Sequence, residues 1–228
     1  MLFRSDGLKD LQGAMKAGAD AILIPKANTA AQIKVLEKYV NEFEKSLGRD
    51  LGTTPLIPNI EQALGLENAV SILSASRQIV ASLVASEDMA VSLNAPRKKN
   101  SEVLNYVRQR FHVACAAVGV NSIDMPYTFT DDDGVKLQTQ LAKDTGMLSK
   151  STVNAEHCEI INSILTPTKI EIEHANELIS AFEKARNSGE GQVIHNGTKV
   201  EVPTYLNAKQ AVARYEDLKK CDDWEEPC

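Results

Sequence analysis

The sequence predicts an α/β protein, a partial (β/α)8 barrel of about five βα units over residues 1–165, followed over 166–228 by a helix, a hairpin and a final helix. Three observations predict it. Strand-like and helix-period segments alternate, which gives a parallel sheet with helices outside it. The strand segments are short, β-rich and non-alternating, as expected of strands buried on both faces. Five of them can be counted, whereas a closed barrel of this kind needs eight.

In chain order, Asp6–Ala17 has the apolar spacing of a short helix, with Leu8, Leu11 and Met15 on its stripe and Gly18 as its stop. Ala21–Pro25 is the first strand and runs into Lys26. Thr29–Leu47 is a long helix with Ile33, Leu36, Val40 and Phe43 apolar. Pro55–Ile60 and Ile79–Ala85 are the next strands, and Gln62–Ala75 between them is a single helix striped by Ala63, Leu66, Val70 and Leu73. Ser101 caps a helix to about Val118, and Ser122–Pro126 is the fourth strand. Asp131-Asp132-Asp133-Gly134 opens a helix to about Thr145; the acids suit a helix start and lack the ligand ladder of a calcium loop. Met147–Val153 is the last strand, with a helix over Asn154–Ile164. An amphipathic helix from Thr166 to Asn187, a hairpin turning at Asn196-Gly197 and a helix over Leu206–Lys219 complete the chain.

Two acids stand out by position. Glu61 directly follows the second strand and Glu87-Asp88 follow the third, so both emerge at the carboxyl ends of neighbouring parallel strands, where α/β sheets place ligands. Glu61 and Asp88 together suit Mg2+, which takes one or two protein carboxylates and keeps room for substrate oxygens. The same acids also serve as helix caps or first-turn residues. Lys26, at the end of the first strand, reads as a rim residue or a substrate contact.

The 228 residues are 43% hydrophobic and 25% charged, ordinary for a globular chain, and the net charge of −6 disfavours nucleic acid and anionic membranes. The longest basic cluster, Arg97-Lys98-Lys99, sits in a loop and is either solvated or a contact for an anionic tail. Four cysteines without a C-x-x-C pair point to a reducing interior, either cytoplasm or mitochondrial matrix. No run approaches a membrane span, and the N-terminus lacks a signal-peptide core. The four histidines have no metal-ligand spacing.

The string I-E-Q-A-L-G-L from Ile60, followed by A-S-E-D-M-A from Ala85, resembles the citrate lyase β-chain branch of the HpcH/HpaI aldolase family. That family carries I-E-T-A-x-G and then G-x-E-D-L-A. Further matches follow in order: A-D-A-I-L-I-P-K, S-I-D-M-P, L-T-P-T-K-I-E-I-E-H-A and N-G-T-K-V-E-V-P. The resemblance implies Mg2+ held by Glu61 and Asp88, and an acyl-CoA thioester as partner. It implies substrate contacts from Glu61, Val153, Asn154 and Lys26, a catalytic lid carboxylate at Glu201 shared with a neighbouring subunit, and a homotrimer. The implied reaction splits, or makes, a 3-hydroxy-acyl-CoA such as citryl-, malyl- or citramalyl-CoA, with acetyl-CoA and an oxo acid as the other side.

The sequence departs from the family pattern at several points. The family has three further strands before the first one here, the third bearing a carboxylate-gripping arginine that Arg4 does not match. Asn154 stands where the family has histidine, and asparagine does not titrate. Glu201 replaces an aspartate, and Ala85 a glycine. These departures support an alternative expectation, a truncated and catalytically defective member of the family.

Overall fold

A computed structural model describes residues 7–189, 193–195 and 197–221. Arg4, Asp6 and Asn196, all used above, lie outside the described residues. The chain forms two compact units, Met1–Ile161 and Asn162–Cys228.

The first unit opens with α1 (Gly7–Lys16), β1 (Ile22–Ile24) and α2 (Ala30–Ser46). The start of α2 is fixed by a reciprocal cap: the Gln32 amide donates to the Thr29 hydroxyl, and the Thr29 amide donates to the Gln32 side chain. Then come β2 (Leu56–Ile60), the short helices α3 (Ala63–Glu67) and α4 (Ala69–Leu73), β3 (Ala81–Val84) and α5 (Glu87–Ser92). Next are α6 (Glu102–Val118), β4 (Asn121–Asp124), α7 (Asp132–Thr145), β5 (Ser149–Lys150) and α8 (His157–Leu165), which crosses into the second unit. Helices α6 and α7 end on Gly119 and Gly146 in the left-handed conformation.

The five strands form one parallel sheet in the order β1-β2-β3-β4-β5, with Ile60 beside Val84 and Asp124 beside Lys150. All five carboxyl ends therefore lie along one rim. The fold class read from the sequence is the one observed. Burial alternates along the strands, however: Leu56, Pro58 and Ile60, then Ser82 and Val84, are buried, with partly exposed neighbours between them. Only one sheet face is sealed, by a core that includes Ile33, Leu36, Val40, Leu66, Ile72, Phe111 and Cys115.

Several sequence expectations need correction. The single helix over Gln62–Ala75 is two short helices broken at Asn68, whose side chain donates to the Asn28 carbonyl at 2.9 Å. The break rotates the stripe, so Ala69, Ile72 and Leu73 face the core while Val70 is 44% exposed. The last strand shrinks to Ser149–Lys150, because a hydrogen-bonded turn at Thr152 and Asn154 ends the extended backbone. The final helix, α10, starts four residues earlier, at Val202, with Pro203 in its first turn, where a missing amide costs nothing.

The second unit contains α9 (Lys169–Ser188), the antiparallel hairpin β6 (Val193–His195) and β7 (Thr198–Val200), and α10 (Val202–Leu218). Ala175, Leu178, Val200 and Ala208 form its core, and Phe182 stacks on Tyr205 with centroids 4.6 Å apart.

Candidate active site on the sheet rim

Glu61 is the first residue beyond β2 and is only 5% exposed. Asp88 is placed by α5, which begins directly after Ala85-Ser86 at the end of β3. Their carboxyl groups come close enough for each to shift the pKa of the other. Burial pushes the Glu61 carboxyl up and the neighbouring Asp88 adds to that, while the hydrogen bond from Glu61 and the Lys26 ammonium hold Asp88 down. Two carboxyl groups this close share a proton or gather a cation.

Lys26 supplies that cation in the present structure. Its Nζ donates to Asp88 Oδ1 at 3.2 Å, and its backbone amide donates to Glu61 Oε1 at 3.1 Å. Its backbone φ is +51°. The turn is held by a network: Ala27 donates to the Asn59 carbonyl, and Asn28 Nδ2 donates to Gln62 Oε1 at 2.6 Å. The glycine of I-E-Q-A-L-G belongs to the same construction. A Cβ on Gly65 would lie 2.4 Å from the Ala27 carbonyl oxygen, so α3 approaches the Lys26 turn only because this residue has none.

Glu61, Asp88 and Lys26 are thus brought together. Val153 lies beyond β5 and is 70% exposed. Asn154 spends its side-chain oxygen on the Glu156 amide at 3.1 Å, a local turn contact. Glu201 belongs to the second unit, where it precedes α10 and pairs with Lys199 at 2.9 Å. Among the described residues no group of three or more His, Cys, Asp or Glu side chains gathers at a metal-binding distance. The donor set at the rim is therefore two carboxylates, which fits a hard divalent ion that fills its other positions with water or ligand oxygens.

The same rim carries a second charged cluster. Asp124, the last residue of β4, is fully buried and receives Arg108 Nε at 2.7 Å and Lys150 Nζ at 2.6 Å. Arg108 was not among the sequence-derived site residues. It falls at position 108 of the series 104, 108, 111 and 115, the buried stripe of α6, and a cation in phase with such a stripe is the signal that could have found it. The glycine of the D-D-D-G helix start also has a structural cause: a Cβ on Gly134 would overlap the Tyr127 hydroxyl, which donates to Asp131 at 2.8 Å.

A five-stranded parallel sheet that gathers two carboxylates and a lysine at its strand ends defines the class: a barrel-type α/β protein with an acidic, ligand-ready rim. The chain belongs to the HpcH/HpaI aldolase/citrate lyase family, which matches residues 4–155. It is 34% identical over 204 residues to citrate lyase subunit beta of Leuconostoc mesenteroides subsp. cremoris, covering 89% of this chain and 68% of that one. It is 29% identical over 213 residues to (3S)-malyl-CoA thioesterase of Cereibacter sphaeroides, covering 93% and 70%. The structure of CitE from Mycobacterium tuberculosis in complex with magnesium, acetoacetate and coenzyme A superposes with a TM-score of 0.73 over 94% of this chain and 75% of that one, a likeness of fold at 19% identity.

Proposed function

We propose that this chain is a Mg2+-dependent carbon–carbon lyase that cleaves, or forms, a 3-hydroxy-acyl-CoA thioester of the citryl-, malyl- or citramalyl-CoA type. The observation that carries the reading is the meeting of Glu61 and Asp88 at the ends of neighbouring parallel strands. Membership of the family and the magnesium and coenzyme A bound by a protein of the same fold support it. Glu61 and Asp88 hold the metal, which when bound polarises the oxygens of the oxo-acid part and neutralises charge there.

The residues of the chain do the rest. The Lys26 amide fixes the Glu61 carboxylate, and its half-exposed ammonium offers donors to an anionic substrate oxygen. Asn154 and Val153 line the acyl region. Glu201 is the lid carboxylate, presented to a neighbouring subunit of a homotrimer. In the cleavage direction a base takes the 3-hydroxyl proton, the carbon–carbon bond breaks to leave the oxo acid, and the departing acetyl-CoA carbanion is reprotonated.

Incubation with each of the three thioesters and Mg2+ should release acetyl-CoA, and chelation of the metal should stop it. No product from any of the three at high protein concentration overturns the reading. The alternative is a catalytically defective family member. It is favoured by one observation: Asn154, at the position of the family's histidine, accepts a local turn hydrogen bond from the Glu156 amide. A cooperative thermal transition with no turnover would select it.

A further inference from the structure

Lys26 bonds to both acids of the rim, through two different groups. Its backbone amide donates to Glu61 Oε1 at 3.1 Å, and its Nζ donates to Asp88 Oδ1 at 3.2 Å. The amide is held in place. Residues 26–28 are pinned from three sides, by the Ala27 amide on the Asn59 carbonyl, Asn28 Nδ2 on Gln62 Oε1 and Asn68 Nδ2 on the Asn28 carbonyl. The ammonium is free to move. It ends a flexible four-carbon stem, and the Lys26 and Asp88 side chains are 51% and 50% exposed. A solvated ion pair of this kind contributes little and exchanges readily.

A divalent ion on Glu61 and Asp88 competes with that ammonium. Metal ligation needs both carboxylates ionised, and the ion then repels the Lys26 charge at twice unit strength. An ammonium pushed off Asp88 stays tethered beside the site, because its main chain cannot follow. There its three N–H donors are available to the oxygen of a bound anion. Conversely, an anion that draws the ammonium to itself leaves Asp88 to the metal. Each ligand biases one side chain toward the same position, and a coupling of that kind is reciprocal. A 2-oxo acid suits both partners: its carboxylate accepts charge-assisted hydrogen bonds, and its oxygens satisfy a hard cation.

We propose that Lys26 is a two-position cation that couples metal and oxo-acid binding, its ammonium resting on Asp88 in the free protein and on the substrate carboxylate in the ternary complex. The proposal rests on the reading of Glu61 and Asp88 as the metal pair. It adds to that reading that each ligand tightens the other, and that Lys26 is the residue through which part of this is carried.

The test is calorimetric titration of the full chain with Mg2+, at one pH and low ionic strength, without and with saturating pyruvate. Lys26→Met should bind Mg2+ alone roughly three- to tenfold more tightly than wild type, since a repelling charge a few ångströms away is gone. That advantage should vanish in pyruvate, so the factor by which pyruvate tightens Mg2+ falls by the same amount. Lys26→Gln, neutral with a shorter stem, should behave as Lys26→Met does. Lys34→Met, which removes an exposed charge on α2, should match wild type and so exclude a general effect of net charge. Equal or weaker Mg2+ binding by Lys26→Met overturns the proposal, as does an advantage that persists unchanged in pyruvate. Absence of Mg2+ binding in every variant overturns it together with the metal pair. A chain that shows the coupling yet releases no acetyl-CoA upholds the role of Lys26 and overturns the lyase reading alone.

Discussion

The two charged clusters on the rim are built from the same parts and have opposite balances. Lys26, Glu61 and Asp88, on the first three strands, sum to one negative charge, and Lys26 and Asp88 are each about half exposed. Arg108, Asp124 and Lys150, on the last two strands and α6, sum to one positive charge in side chains that are dry. Water screens the Lys26–Asp88 pair, while Glu61 beside it is buried. The second set is held in a low dielectric where each partner is worth much more, and losing one is correspondingly severe. One rim thus carries a half-exposed charge cluster and a dry one side by side.

The largest expected effect lies in the dry cluster. Asp124→Asn keeps the shape and leaves two buried cations facing each other; it should cost about 3–5 kcal/mol of folding stability, measured by denaturant unfolding. An unchanged midpoint would break the contrast. Asp88→Asn should instead spare stability to within about 0.5 kcal/mol, as befits an exposed position. Its effect should fall on thioester cleavage, reduced on the order of 10²–10³-fold, which a coupled acetyl-CoA assay reads.

Glu44 sharpens the contrast as a buried acid with no ion pair among the described residues. It is 0% exposed, and it accepts hydrogen bonds from the Gly52 and Thr54 amides, both at 2.6 Å. Burial raises its pKa, but the hydrogen bonds from Thr54, Gly52 and Thr53 outweigh it and leave the carboxyl below its ordinary 4.5. A depressed folded pKa means stability that is present above 4.5 and lost as the pH falls through the folded value. Glu44→Gln should cost about 1–3 kcal/mol at neutral pH, by thermal unfolding, and the gap to wild type should close in acid. A small effect is also expected for Lys26→Met, under about 1 kcal/mol in stability by denaturant unfolding, since its ion pair is solvated.

Legibility followed the range of the interactions. Glu61 and Asp88 could be read because each follows its strand directly, and a parallel strand end has one destination. Helix starts at Thr29, Ser101 and Asp131 were visible because a cap acts within three residues. Arg108 and Glu44 were not singled out, although each sits in phase with a buried stripe: Glu44 continues Ile33, Leu36 and Val40, and Arg108 continues Leu104 and precedes Phe111 and Cys115. What makes them tolerable are partners 8 to 30 positions away in sequence, in the 52–54 loop and at Asp124 and Gln138. The break at Asn68 escaped for the same reason, since its acceptor is the Asn28 carbonyl, 40 positions away.

The turn at Lys26 has one more implication. A left-handed backbone at a long-chain residue costs on the order of 1–2 kcal/mol, which glycine would not incur. Lys26→Gly should therefore relax the main chain while deleting the ammonium. Backbone conformation alone gives no reason to prefer lysine over glycine at this position, so what lysine adds there is the ammonium beside Asp88.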